Sequence, residues 1–157
     1  MNVSVPRFLG AAAIIAVTLP TSAGANAPAG QYVVTAGGTP NGTVYDTKSK
    51  LTWQQTVSSM TYTWAAAQTY CAGLDTSLGG TGWRLPTAKE LISIVDLSQA
   101  SAPMIDPNAF PSTPSAGFWS SSPAGGSPPS TAWLINFNRG SWGYDYVSYT
   151  YYVRCVR

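Results

Sequence analysis

The sequence predicts an α+β domain, and three observations predict it. Helix and strand signals fall in separate blocks: a hairpin first, two helices next, then a long loop region and closing strands, the segregation that marks α+β folds. The run Gly82-Trp83-Arg84-Leu85-Pro86-Thr87-Ala88-Lys89-Glu90-Leu91 packs extended and helix-start signals into one stretch. Two cysteines, Cys71 and Cys155, stand far apart, on the first helix and the last strand.

The chain has 157 residues, enough for one domain with a core of its own. Charged residues make up 9% and aromatics 12%, which excludes a disordered charged tail as the main content. A net charge of +2 with no basic cluster excludes a nucleic-acid footprint. Histidine is absent, so a His-based triad and a His-ligated metal are excluded.

Residues 1–27 read as a cleaved export signal. Arg7 is the positive n-region, and Ala25-Asn26-Ala27 fits the cleavage pattern. The apolar run Phe8 to Leu19 is shorter than the ~20 residues of a bilayer span. No cysteine lies near the cleavage site to carry a lipid. Loss of Arg7 leaves seven basic and six acidic residues, close to neutral. The mature protein is expected in the periplasm or outside the cell, with no membrane insertion. In an exported chain an even cysteine count suggests a disulfide. Within a monomer the pair is Cys71–Cys155, closing a loop of about 84 residues for a gain of ~4 kcal/mol in the chain-entropy model. Two free buried thiols are the alternative.

Residues 28–43 are an N-terminal strand and linker. Gln31 to Thr35 is strand-like, and Gly37, Gly38, Pro40 and Gly42 form a loop. That strand is expected to pair with the closing one. The domain proper spans 44–157. Val44-Tyr45-Asp46, Thr47 to Lys50 and Leu51-Thr52-Trp53 make a hairpin with Leu51 and Trp53 on one face. The first helix runs from Tyr62 to Leu74, with Thr63 as N-cap and Trp64, Ala67 and Cys71 on one face. Gly73 suits the left-handed position after its end.

The second helix begins near Ala88. Thr87 and Glu90 form a capping box, and Pro86 precedes it where no helical hydrogen bond is interrupted. Leu91, Ile94 and Val95 extend its apolar face to about Asp96 or Leu97. Arg84 and Glu90 read as a structural pair or a solvated face. A long loop follows over Ser98 to Ser130, interrupted by Phe110 and by Phe118-Trp119-Ser120-Ser121-Ser122; loops of this length are often functional. Ala132 to Asn138 alternates as a half-buried strand, with Trp133, Ile135 and Phe137 on one side. Arg139-Gly140-Ser141 is a turn, Trp142 to Tyr152 is rich in aromatics, and Tyr151 to Arg157 closes the chain as a strand.

In this order, Val44-Tyr45-Asp46 with Leu51-Thr52-Trp53, Thr63-Trp64-Ala65-Ala66-Ala67 with Tyr70-Cys71, Trp83-Arg84-Leu85-Pro86-Thr87 with Glu90-Leu91, Phe118-Trp119-Ser120-Ser121-Ser122, Ala132-Trp133 and Val153-Arg154-Cys155-Val156-Arg157 resemble the Lcl C-terminal domain family. The resemblance runs from about Val44 to Arg157. It implies a C-type-lectin-like fold with two helices, a small antiparallel sheet and a long loop region, in which Cys71–Cys155 is that fold's long disulfide. Where the family carries Gly before Leu-x-Trp, this chain has Lys50, which is strained if its φ is positive. The calcium site of true C-type lectins does not carry over. It needs a Glu/Gln-Pro-Asn/Asp tripeptide and a Trp-Asn-Asp-like strand, and Asp106-Pro107-Asn108 is an echo without companion ligands. No metal or cofactor is expected. A related branch oxidises sulfatase cysteines with reactive thiols, a chemistry not expected where both cysteines serve the fold.

The leading functional expectation is an exported, calcium-independent, non-enzymatic binding module. Its partner is a glycan or a cell-surface protein. The candidate residues are Trp119, Ser121, Asn138, Arg139, Trp142, Tyr144 and Tyr146, with Tyr149, Ser120, Ser122 and Asn136 beside them. Aromatics supply flat faces, Ser and Asn neutral hydrogen bonds, and Arg139 a planar fork. Trp119 and Trp133 are expected to fill the core, whereas Trp142, Tyr144 and Tyr146, beside a Gly-rich turn, suit exposure and burial equally. The resemblance to adhesins implies sulfated polysaccharide as one ligand class, but the few Lys and Arg argue against strong polyanion binding. A structural subunit of a cell-envelope assembly is the alternative. An enzyme built on Ser120, Ser121 and Ser122, or on Asp96 and Asp106, lacks a histidine, a catalytic-Lys motif and a G-x-S-x-G elbow.

Overall fold

Two three-stranded antiparallel sheets carry the chain, where one small sheet was expected. The structure, a computed structural model, describes residues 27–35, 42–126 and 128–157. Apart from Ala27, the predicted export signal lies outside the described residues, as does the Gly37 to Pro40 loop.

The first sheet is β1 (Tyr32–Thr35), β2 (Thr43–Asp46) and β3 (Leu51–Gln54), in that order. β1 pairs with β2, in register Tyr32 to Asp46, and not with the end of the chain as expected. The β2–β3 hairpin is as predicted. Its buried Asp46 holds the turn by accepting from the Lys48 amide at 2.9 Å and the Ser49 hydroxyl at 2.6 Å.

Three helices follow. α1 (Trp64–Ala72) buries Ala67 and Cys71, the predicted face. Gly73 takes a right-handed φ of −85° rather than the expected left-handed one, so the chain coils on into a short α2 (Asp75–Leu78) that sequence reading missed. α3 (Ala88–Ile92) has the predicted capping box but stops well before Asp96. The Ser93 hydroxyl donates to the Glu90 carbonyl at 2.7 Å, and the Ser93 and Val95 amides reach back only three residues. That tightening ends an α-helix.

The second sheet is β4 (Gly117–Gly126), β5 (Pro129–Asn136) and β6 (Ser141–Tyr146). The predicted long loop is therefore shorter. Its second half is strand, masked in the sequence by Pro and Gly that sit where the β4–β5 register shifts. This sheet divides the core. Phe118, Ile135 and Phe137 join Val44, Trp53, Leu91 and Phe110 on one side. Trp119, Ala132 and Leu134 join Ala67, Cys71, Trp83 and Cys155 on the other. β5 thus delivers Ala132 and Leu134 to one core and Ile135 to the other, while its Trp133 stays half-buried, because a period of two alternates side chains between two faces.

The closing segment stitches the halves together. Thr52 and Arg157 exchange backbone hydrogen bonds at 2.9 Å, as do Arg84 and Val156, and the Trp119 amide donates to the Tyr152 carbonyl at 3.0 Å. Cys155 is bonded to Cys71 on α1, with Cα atoms 5.4 Å apart. Between Val153 and Cys155, Arg154 points into the interior and is fully buried. Its guanidinium donates to the carbonyls of Gln54 at 2.7 Å and Gln55 at 2.6 Å and to the Thr113 hydroxyl at 2.7 Å. It also lies 4.7 Å from the centre of the Phe110 ring. Burial pulls its pKa down to about 9, so it stays charged at neutral pH.

Candidate aromatic binding surface

β6 reads Ser-Trp-Gly-Tyr-Asp-Tyr, and a strand turns alternate side chains to one face. Trp142, Tyr144 and Tyr146 are accordingly 70%, 64% and 59% exposed. Tyr149, in the turn that follows, meets Tyr146 edge-on at 5.9 Å. On β5, Trp133 lies opposite Tyr144. The Val147 amide bonds the Ser130 carbonyl, and by antiparallel alternation Trp133 and Tyr144 form a non-hydrogen-bonded pair, the kind with the closest side chains. Their rings meet edge-on at 5.5 Å, and Trp133 lies tilted against Trp142 at 5.7 Å. Trp142, Tyr144 and Tyr146 thus form a strip on the edge strand β6, with Trp133 of β5 packed beside the first two and Tyr149 beside the last.

The strip is held rigidly. The turn after β5 carries Gly140 at φ +63°, where a Cβ would meet Leu97 at 2.3 Å and Val95 at 2.9 Å. Only glycine lets this turn sit against the segment after α3. At the other end Asp145 accepts from the Tyr151 hydroxyl at 2.6 Å and the Tyr146 amide at 2.8 Å. The first bond, then burial, pushes the Tyr151 hydroxyl up to about 12. The second occupies a backbone donor on the open edge and so blunts it against strand pairing.

Trp142 stands as a fin between two hollows. One, of about 410 Å³, is lined by Ile92, Gly140 and Ser141. The other, of about 260 Å³, is lined by Ala88, Lys89, Ser122, Pro123 and Trp133. Lys89 is exposed and forms no ion pair among the described residues. The start of α3 that carries it is fixed twice. Glu90 holds Arg84 through two bonds of 2.7 and 2.8 Å, and the Ala88 amide donates to the Ser122 hydroxyl at 3.1 Å.

Of the residues singled out from sequence, Trp142, Tyr144 and Tyr146 meet on the strip, and Asn138 and Arg139 are exposed in the turn at its end. Trp119 and Ser121 do not join them. Trp119 has no exposed face; its indole donates to the Tyr62 carbonyl at 2.9 Å, and it packs in the core beside the disulfide. Ser121 lines a separate hollow with Gln68, Arg84 and Thr87. Ser120 of that run serves the fold, its hydroxyl donating to the Trp133 carbonyl at 2.7 Å, while Ser122 lines the hollow beside Trp142. Trp133 is expected in the core with Trp119, yet it is only half-buried and packs against Trp142 and Tyr144. Lys89 and Ile92 were missed, because only the packing of α3 on the second sheet brings them there.

The Asp106 carboxylate accepts from the Asn108 amide at 2.8 Å and the Ala27 amide at 3.2 Å. Among the described residues no group of His, Cys, Asp or Glu is arranged to hold a metal ion. No helix among them is long and apolar enough to cross a membrane.

The sequence model of the Lcl C-terminal domain matches residues 42–157. No curated protein matches the chain.

Proposed function

From a chain that belongs to the Lcl C-terminal domain family, we propose an adhesin-like extracellular domain that binds a glycan through the Trp142–Tyr144–Tyr146 strip, without calcium and without catalysis. The supporting observation is the exposure of these three rings on one face of an ordered strand. Monomeric soluble proteins seldom expose contiguous large apolar side chains without a use for them. Sugar rings offer a polarised C–H face that suits the negative face of an aromatic ring, and hydroxyls that suit Asn138 and Ser122. The disulfide supports a location outside the cytoplasm. The tie between α1 and the closing segment supports kinship with C-type-lectin-like folds.

Glycan-array binding of the disulfide-intact protein, with calcium and with chelator, tests this reading. Binding is expected in both conditions and is lost in Trp142→Ala. Binding that needs calcium, or that survives Trp142→Ala, would remove the strip from the reading.

A further inference from the structure

We infer that the hollow between Trp133, Trp142 and Lys89 receives the carboxylate of an acidic sugar, a uronate, so that the strip prefers carboxylated to neutral glycans. The inference rests on the glycan reading above.

Among the described residues Lys89 is the one charged side chain lining this hollow. Its ammonium is exposed, with no ion-pair partner among the described residues. The acids of the described chain are engaged elsewhere. Glu90 is held by Arg84, and Asp75 accepts from the Trp83 amide at 3.4 Å. Asp145 is held by Tyr151 and its neighbouring amide. Asp46 accepts from the Lys48 amide and the Ser49 hydroxyl, Asp96 from the Ser98 amide at 3.0 Å, and Asp106 from the Asn108 and Ala27 amides. None of the six lines either hollow beside Trp142. Asp145 lies on the strip's own strand but turns to Tyr151, so the hollow beside Trp142 presents Lys89 and no carboxylate to an incoming ligand.

The hollow, at about 260 Å³, falls below the roughly 300–1,000 Å³ of pockets for drug-sized ligands. It suits one sugar ring rather than an enclosed chain. With a C–H face on Trp142, such a ring turns a substituent toward Lys89, a compact point charge with three donors. The Ser122 hydroxyl accepts from Ala88 and keeps its own proton to donate. One unpaired lysine matches one carboxylate. A polysulfated chain would need a run of cations that this surface lacks.

The test compares oligogalacturonate with the same oligosaccharide as its methyl ester, which keeps the ring and removes the charge. With the full, disulfide-intact chain, calorimetry should show the acid binding about threefold tighter, a surface ion-pair effect, with the difference shrinking in high salt. Lys89→Gln should bring the acid-to-ester ratio to about one, and Lys89→Arg should keep it. Unchanged melting midpoints show that both variants fold. Equal affinity for acid and ester, or a ratio that persists in Lys89→Gln, overturns the inference and leaves the glycan reading standing if Trp142→Ala abolishes binding of the ester. Binding of neither form by the folded protein overturns the uronate inference, and the glycan array with Trp142→Ala then decides the glycan reading by itself.

Discussion

Arg154 and Trp142 lie on the two ends of one contrast. Arg154 is a charged side chain with no exposed surface, and Trp142 is a large apolar side chain at 70% exposure. Both go against the usual sorting of residues, and the difference lies in what surrounds them. Around Arg154 are the carbonyls of Gln54, at the end of β3, and of the next residue Gln55, a hydroxyl and an aromatic face. Buried backbone acceptors need donors, so the arginine completes the interior. Around Trp142 are two open hollows and the neighbouring Trp133 ring. One residue is spent on the fold, and the other is left over by it.

The strongest way to break the contrast is to remove both. Arg154→Met should cost about 3–5 kcal/mol, because it strands buried acceptors. Trp142→Ala should change stability by less than about 0.5 kcal/mol, as exposed sites do. Urea unfolding of the two variants checks this. An Arg154→Met protein as stable as the parent would mean that desolvation of the guanidinium offsets everything its bonds supply.

The next effect lies on the same closing segment. Replacing Cys71 and Cys155 by serine should cost about 2–5 kcal/mol, since the bond spans a sequence separation of 84. Melting in oxidised and reduced buffer measures it. A reduced protein that melts with the oxidised one would show that the cores on either side of the second sheet hold α1 without the tether.

These two residues also mark how far the sequence could be read. The cysteine pair, the capping box and the β2–β3 hairpin were legible, because each is a local pattern or a count. The exposure of Trp142, Tyr144 and Tyr146 was half legible, since alternation gives a face but not which face meets solvent. Arg154 was not legible as a buried charge, because its partners Gln54, Gln55 and Thr113 lie between 41 and 100 residues away along the chain. The same holds for Trp119 and Trp133. Both are tryptophans in strand-like runs, and only the two-core division buries the first and frees the second. Helix ends were misread where side chains intervene, as Ser93 does at α3.

A smaller effect sharpens the contrast through pH. Glu90 has its pKa lowered to about 2, first by hydrogen bonds from Arg84 and then by Thr87, against an opposing effect of burial. A carboxylate with a lowered folded pKa contributes stability that is present above its unfolded value, here 4.5, and is lost as pH falls toward 2. Arg84 is 46% exposed, so solvent screening limits the gain to about 1 kcal/mol or less. Stability measured from pH 6 to 2 should fall over that window. Glu90→Gln should flatten the fall and loosen the start of α3, where Lys89 meets the strip.

The smallest effect has the opposite sign. Lys50 closes the β2–β3 turn at φ +63°, and its amide donates to the Asp46 carbonyl at 2.8 Å. A side chain at that φ crowds its own backbone, at a cost of about 1–2 kcal/mol. Glycine escapes this but brings a more flexible unfolded chain, worth about 0.4–1 kcal/mol the other way. Lys50→Gly should therefore stabilise by about 0.5–1 kcal/mol, raising the melting midpoint by a few degrees. The Asp46 hydrogen bonds that fix the turn come from Lys48 and Ser49 and do not involve the Lys50 side chain. A lower midpoint would then mean that the exposed lysine contributes through charge, and Lys50→Asn, which tolerates this φ without the charge, would separate the two causes.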